Sequence, residues 1–265
     1  MKVVLVRPNY DSHIITPPLA LGYLSSYLKK NGMDVKIFDG LRDNVSNAEL
    51  LESIVAETPT VVGITCLTAF YKETIELSQM LKETGLRVII GGVHPTFLPQ
   101  ETLAESGCDY VVLGEGEIAL LKLLQNNFQS DSIAGVYSIK DFEDSKPVIK
   151  KGKKIENLDD IPFPDWEQLN PNLYPKAPHG AIVKNFPVAP VITTRGCPYE
   201  CTFCASPSFY DRKIRFRSPE NVIQEIKYLV DQFGIREIHF EDDNLTIRRG
   251  HIDKICELII TTGIE

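Results

Sequence analysis

The feature that most constrains this chain is an alternation: through its first half, short apolar runs take turns with segments of helical period. Lys2–Arg7, Val35–Phe38, Thr60–Cys66, Arg87–Ile90 and Tyr110–Leu113 read as strands. Leu19–Lys30, Ala48–Ala56, Phe70–Lys82, Gln100–Glu105 and Ile118–Asn126 carry apolar residues at helical spacing, and Gly32 closes the first of these helices. Strands that are apolar on both faces must be covered on both faces, and a helix between consecutive strands makes them parallel. The expectation is an α/β domain built on a doubly wound, five-stranded parallel sheet. Such sheets take ligands at the carboxyl ends of their strands.

Small residues gather at that edge. Thr65-Cys66-Leu67 follows the third strand, Gly91-Gly92-Val93-His94-Pro95 the fourth, and Gly114-Glu115-Gly116-Glu117 the fifth. A glycine at a strand end lets a ligand or another backbone approach closely. Singly each reads as a turn; together they put room for a ligand at three consecutive strand ends.

The second half carries a different signal, Cys197-Pro198-Tyr199-Glu200-Cys201-Thr202-Phe203-Cys204. A loop this short can turn three sulfurs toward one point. Iron–sulfur clusters are held by cysteine thiolates, four of them for a cubane. Three close cysteines without an obvious fourth suggest a cubane with one iron left open, and an open metal position is what binding and activation require. A zinc site that recruits His239, His251 or Cys256 as its fourth ligand is the competing reading. The apolar run after Met1-Lys2 ends at Arg7-Pro8, too short for a secretory leader, so a reducing cytoplasm with free thiols is expected. Cys66, Cys108 and Cys256 fit no motif.

Around the cysteines the strand–helix order resumes. Val191–Thr194 reads as a strand entering the cysteine loop. Ser218-Pro219-Glu220 starts a helix that runs to about Gln232 and stops at Gly234. Ile235–Phe240 is the next strand, Glu241-Asp242-Asp243-Asn244 an acidic loop, and Arg249 to Thr262 a second helix. In a barrel of such units the active site lies at the carboxyl ends of the strands, where both the cysteines and the acidic loop fall. The acidic loop reads either as part of that site or as a solvated turn whose carboxylates hold Arg215 or Arg217.

Between the halves, about Ser138 to Pro187, helical period is lost. Asp141–Asp144 is acidic and Lys150-Lys151-Gly152-Lys153-Lys154 basic, a run that reads as solvated. Pro147, Pro162, Pro164, Pro171, Pro175, Pro178 and Pro187 resist helix. The organisation expected is a domain over 1–137, an extended linker over 138–187 that Trp166 packs down, and a second domain over 188–265. The net charge of −8 argues against a nucleic-acid partner, and no apolar run is long enough to span a bilayer.

On Cys-x-x-x-Cys-x-x-Cys with Phe203 before the last cysteine, and on the lead-in Thr193-Thr194-Arg195-Gly196-Cys197-Pro198, the chain resembles the radical S-adenosylmethionine superfamily, in the branch that carries a cobalamin-binding domain. Its first half resembles that flavodoxin-like domain through Pro17-Pro18-Leu19-Ala20-Leu21-Gly22-Tyr23-Leu24, Gly91-Gly92-Val93-His94-Pro95-Thr96 and Asp109 to Glu117. The resemblance implies that Cys197, Cys201 and Cys204 hold a [4Fe–4S] cluster. It implies that S-adenosylmethionine binds the fourth iron, with Phe203, Glu241, Asp242 and Asp243 in contact. Cobalamin would be met by Thr65, Leu67, Gly91, Gly92, His94, Gly114, Glu115 and Gly116, Thr65-Cys66-Leu67 standing where cobalamin domains have Ser-x-Leu. Asp11-Ser12-His13-Ile14-Ile15-Thr16 departs from the cobalt-ligating Asp-x-His-x-x-Gly at its last position, so His13 reads as an ordinary loop residue.

The implied activity is reductive cleavage of S-adenosylmethionine to a 5′-deoxyadenosyl radical, fed by a flavodoxin- or ferredoxin-type electron donor. The radical would serve methylation of an unactivated carbon, or a related rearrangement or cyclisation, of a small-molecule substrate. The chain stops at Gly263-Ile264-Glu265, where a third strand would begin, so the expected second domain is an incomplete (β/α) barrel and the chain an N-terminal piece. A non-catalytic cobalamin-binding or sensing module and a structural zinc protein are the alternatives. Metal content separates them: iron with sulfide, cobalt alone, or zinc.

Overall fold

A computed structural model describes residues 1–143, 147–177 and 182–264; Asp144, Pro178 and Glu265, named above, lie outside that set. The chain forms two compact units, Met1–Ser12 with Ala20–Lys154 and His13–Leu19 with Ile155–Glu265. The segment over 138–187 is thus shared, its first part in one unit and the rest in the other.

The first unit is a six-stranded sheet. In chain order its elements are β1 (Lys2–Arg7), α1 (Leu19–Lys30), β2 (Asp34–Asp39), α2 (Gly40–Asp43), α3 (Asn47–Ala56), β3 (Val61–Thr65), α4 (Tyr71–Glu83), β4 (Val88–Gly91), α5 (Val93–Phe97), α6 (Pro99–Ser106), β5 (Tyr110–Val112), α7 (Glu117–Gln125) and β6 (Val136–Tyr137). The strand order is β2-β1-β3-β4-β5-β6. The first five strands run parallel in the doubly wound arrangement expected, and β6 pairs antiparallel to β5. The expected count of five is therefore corrected to six. β6 is two residues long and has no periodicity to read; only its pairing with Val111 and Val112 makes it a strand. α2 and α5 are one-turn helices that were equally illegible.

The core forms because the strands are apolar on both sides. Val4, Val6, Val62, Ile64 and Ile90 pack with Leu50 and Ile54 of α3, Leu77 and Leu81 of α4, and Leu103 of α6, all but inaccessible to solvent. At roughly 1.5–3 kcal/mol per buried aliphatic side chain, this cluster is the main stabilising term of the unit. Local signals agree with it. Ser46 and Glu49 form a reciprocal capping box at the start of α3. Arg7 and Asp39 make a two-pronged buried ion pair at 2.7 Å across the ends of β1 and β2.

The second unit contains α8 (Trp166–Leu169), β7 (Val188–Val191), β8 (Thr194–Arg195), α9 (Ser206–Tyr210), β9 (Arg215–Phe216), α10 (Pro219–Phe233), β10 (Glu237–Phe240) and α11 (Arg249–Thr262). β7 and β10 are parallel neighbours, Val191 opposite Phe240. β10 leads through a loop to α11, and β7 leads to α10 through the segment that holds β8, α9 and β9, which keeps the (β/α) repeat expected. The strand read at Val191–Thr194 is displaced: β7 ends at Val191, and Thr194–Arg195 instead form an antiparallel hairpin with Arg215–Phe216. Ser218 caps α10 through Asn221 N–H, Pro219 occupies its first turn, and Gly234 ends it in the left-handed conformation, as the sequence signals require. No helix among the described residues is long and apolar enough to cross a membrane.

Candidate metal and cofactor sites

At the carboxyl edge of the first sheet, Thr65 of β3 is in register with Gly91 of β4, so the loops that follow lie side by side. Cys66 N–H donates to Gly91 O at 2.7 Å and His94 N–H to Cys66 O at 3.2 Å. Gly92 has φ +113°, and a Cβ there would stand 2.5 Å from Cys66 O. The first use of this glycine is therefore to let the two loops touch. Thr96 links the next strand end: its hydroxyl donates to Gly92 O at 2.7 Å and accepts from Gly114 N–H at 2.9 Å. Thr65, Leu67, Gly91, Gly92 and His94 are thus drawn to the ends of β3 and β4, with Gly114-Glu115-Gly116 tied in beside them.

His94 is buried. Its ring stacks on Tyr71 with centroids 4.0 Å apart, and Nδ1 lies 3.1 Å from Thr68 Oγ1. Nε2 is buried without a hydrogen-bond partner, 3.6 Å from Glu101 Oε1. Leu67 is exposed, Glu115 buried and His13 exposed. The Lys150–Lys154 run is not merely solvated. Lys151 packs its aliphatic stem over Gly114, and buried Gly152 donates its N–H to Leu113 O at 3.0 Å. Sequence reasoning missed this covering of the β5 end, because nothing in a basic run marks which lysine packs.

In the second unit the cysteine loop leaves β8 through Gly196, which has φ +96° and places its missing Cβ against the Lys213 carbonyl oxygen. Only glycine passes there. Cys197 is half-buried, Cys201 and Cys204 exposed, all three free, and Cys204 N–H donates to Cys201 O at 3.1 Å. Among the described residues no three of His, Cys, Asp or Glu are already gathered around one point. Phe203 is exposed, and Arg212 pairs with Glu200 within the loop. Of the candidate fourth ligands, His239 Nε2 faces Glu237 Oε1 at 3.1 Å, and His251 is buried edge-on to Phe216. Cys256 is exposed on α11. Soft thiolates in threes on one accessible loop are the donor set that an iron–sulfur cluster with one open iron requires.

The acidic loop follows β10 at the same level as the cysteine lead-in, because β7 and β10 are parallel and Glu241 N–H donates to Val191 O at 2.9 Å. Its three carboxylates differ. Glu241 is exposed, yet loss of hydration pushes its pKa up, with His239 pulling it down and Asp242 adding to the rise. Asp242 Oδ1 accepts from the N–H and hydroxyl groups of both Thr193 and Thr194, and its Oδ2 is buried without a partner. Asp243 Oδ2 accepts from Ser206 Oγ at 2.7 Å. The two arginines weighed as partners of this loop bond elsewhere: Arg215 Nη1 donates to Ile155 O, and Arg217 pairs with buried Glu225. Burial pushes the unused thiols up, Cys66 to about 11 and Cys108 to about 12, so both stay protonated at neutral pH.

Family comparison matches the B12 binding domain over residues 2–124 and the radical SAM superfamily over residues 191–265. An uncharacterized methyltransferase of Pyrococcus horikoshii is 32% identical over 100% of this chain and 58% of its own length. The anaerobic magnesium-protoporphyrin IX monomethyl ester cyclase of Rubrivivax gelatinosus is 34% identical over 98% of this chain and 48% of its own. Among solved structures, the radical S-adenosylmethionine methyltransferase TsrM of Kitasatospora setae, with cobalamin and a [4Fe–4S] cluster bound, superposes with a TM-score of 0.75. That match is 19% identical and covers 98% of this chain and 51% of TsrM. The chain spans about half the length of these relatives. With a B12 binding domain followed by a radical SAM domain, and a relative aligned along its whole length, the chain belongs to the cobalamin-binding branch of the radical S-adenosylmethionine superfamily.

Proposed function

We propose that this chain is the cofactor-bearing part of a cobalamin-dependent radical S-adenosylmethionine enzyme, a methyltransferase or an oxidative cyclase. Cys197, Cys201 and Cys204 hold a [4Fe–4S] cluster. Phe203, Glu241 and Asp243 line the place of S-adenosylmethionine. Thr65, Leu67, Gly91, Gly92, His94 and Gly114 to Gly116 receive cobalamin, within a domain read as 1–137. When bound, the cluster and S-adenosylmethionine supply one-electron cleavage of a sulfonium, and cobalamin supplies a carrier for a methyl group. The residues supply binding and orientation. The three cysteine sulfurs would hold the cluster, and the exposed carboxylate of Glu241 offers an acceptor to an ammonium group. At the other edge, exposed Leu67 offers an apolar contact to a ligand with apolar faces.

The observation that carries the reading is three free cysteines on one accessible loop, which leaves β8 a few residues after the carboxyl end of the parallel strand β7. It is supported by relatives that are methyltransferases and cyclases, which do not favour a zinc or a purely cobalamin-sensing role. A small-molecule substrate, a flavodoxin- or ferredoxin-type donor and a cytoplasmic setting belong to the same reading.

Anaerobic reconstitution tests it. The chain is expected to take up about four iron and four sulfide, the content of one cubane. Its reduced paramagnetic resonance spectrum should change when S-adenosylmethionine is added. Cys201→Ala should abolish the cubane and leave cobalamin binding intact. A Cys201→Ala variant with a full cubane would rule out this ligand set.

A further inference from the structure

Thr193 and Thr194, which lead from β7 toward the cysteine loop, are buried and held from two sides. On one side, their N–H groups and hydroxyls all donate to Asp242 Oδ1, at 2.5 to 3.0 Å. On the other, Arg217 N–H donates to Thr193 O at 2.9 Å and Arg217 Nη1 to Ile192 O at 2.8 Å. Arg217 is fixed in turn by its ion pair with buried Glu225, whose other oxygen accepts from Trp166 Nε1 at 2.8 Å. Gly196 leaves the chain one path onward from this anchor.

We propose that Asp242 is a positioning residue for the cysteine loop: its carboxylate sets the direction in which the chain leaves β7, and so where Cys197 begins its approach to the cluster. The proposal rests on the reading of Cys197, Cys201 and Cys204 as cluster ligands. A carboxylate oxygen that collects two N–H and two O–H donors makes charge-assisted hydrogen bonds, roughly twice as strong as neutral ones. The donors lie three and four residues before Cys197, close enough for a shift in the anchor to reach the first thiol. Glu241 is exposed instead, and Asp243 is bonded to Ser206. Within the acidic loop the middle carboxylate holds the threonines before the cysteine loop, Asp243 holds Ser206, and exposed Glu241 is the one left to face a ligand. The rival role for Asp242 is a direct contact to S-adenosylmethionine through Oδ2, which is buried and without a partner.

The double variant Thr193→Val/Thr194→Val separates the two roles. It deletes both hydroxyls and leaves the Asp242 carboxylate in place for a ligand. The wild type, this double variant and Asp242→Asn are reconstituted anaerobically, and iron loss to a chelator is timed well below each protein's melting temperature. The expected result is about 10-fold faster iron loss in both variants, the low end of the range seen when groups that orient metal ligands are removed. The change in the reduced cluster's resonance spectrum on adding S-adenosylmethionine should persist in the fraction that still holds a cluster. Wild-type iron loss in the double variant overturns the proposal, as does wild-type iron loss in Asp242→Asn with the S-adenosylmethionine response gone. If Asp242→Asn fails to fold, the double variant, with carboxylate and backbone donors intact, decides alone. A wild type that takes up no cubane overturns the cluster reading and this proposal with it, and is told apart by the wild-type iron analysis alone.

Discussion

At the scale of single residues, two glycines mark where backbone has to meet backbone. Gly92 sits at φ +113° against the Cys66 peptide, and Gly196 at φ +96° against Lys213. Sequence patterning left the first open to a ligand or to another backbone, and the nearest neighbour in the fold is the protein's own β3 loop. Replacement by alanine adds a Cβ into that contact and forces a disfavoured φ, which together cost about 3 kcal/mol or more. Gly92→Ala should therefore lower the urea midpoint followed by far-UV circular dichroism, and an unchanged midpoint would mean the two loops part readily. His94 was legible as an imidazole at the ligand edge. Its burial, its stacking on Tyr71 and its unsatisfied Nε2 were not, because they depend on α4 and α6 arriving from elsewhere in the chain.

At the scale of elements, the long helices were legible nearly to the residue, since caps and stops are local chemistry. Leu19–Lys30 and Arg249–Thr262 fall where periodicity put them, and α10 extends the reading by one residue to Phe233. The two-residue strands β6, β8 and β9 were not legible, since a strand that short is defined only by its partner. The same holds for the connecting segment, where Trp166 was read as packing down but its partner could not be named. In the folded chain Trp166 donates to Glu225, and Glu225 holds Arg217, with the ring of Trp166 and the carboxylate both shut off from water. Trp166→Phe keeps the packing and leaves one buried carboxylate oxygen unsatisfied, at a cost of about 1–3 kcal/mol. Glu225→Ala strands a buried guanidinium and should cost about 3–5 kcal/mol. Chemical denaturation would show the order, Glu225→Ala well below Trp166→Phe below wild type; equal losses would mean the arginine pair contributes nothing beyond the indole bond.

At the scale of the whole molecule, each unit has its own set of helices on its own parallel strands, and each candidate site lies at a carboxyl edge. Acid should weaken the second unit through His251. Burial holds its pKa below the ordinary 6.5, with Asp242 pulling it up and Arg248 pushing it further down. The unfolded chain then binds a proton at this position before the folded chain does. Its contribution to stability is full above about pH 6.5 and is lost as the pH falls below that value. Trp166, the one tryptophan, lies in the same unit and reports its melting. Between pH 7 and pH 5 the melting temperature of His251→Gln should fall less steeply than that of the wild type; parallel curves would exclude His251 as the source of the acid loss.

What the residues alone determined were the things set by local chemistry and by spacing: apolar periodicity and therefore the alternation of strands and helices, caps and stops, three thiols within reach of one cluster, and glycines at strand ends. What only the tertiary structure decided is which of these groups are already engaged. Asp242 and Asp243 are adjacent acids in the sequence, but one is bonded to the threonines before the cysteine loop and the other to Ser206 after it. Lys151 is one of four lysines in a run, but it is the one whose stem lies nearest Gly114 at the β5 edge. The physical reason is common to both: a hydrogen bond or a close packing contact depends on where distant parts of the chain come to lie, and periodicity carries no record of that.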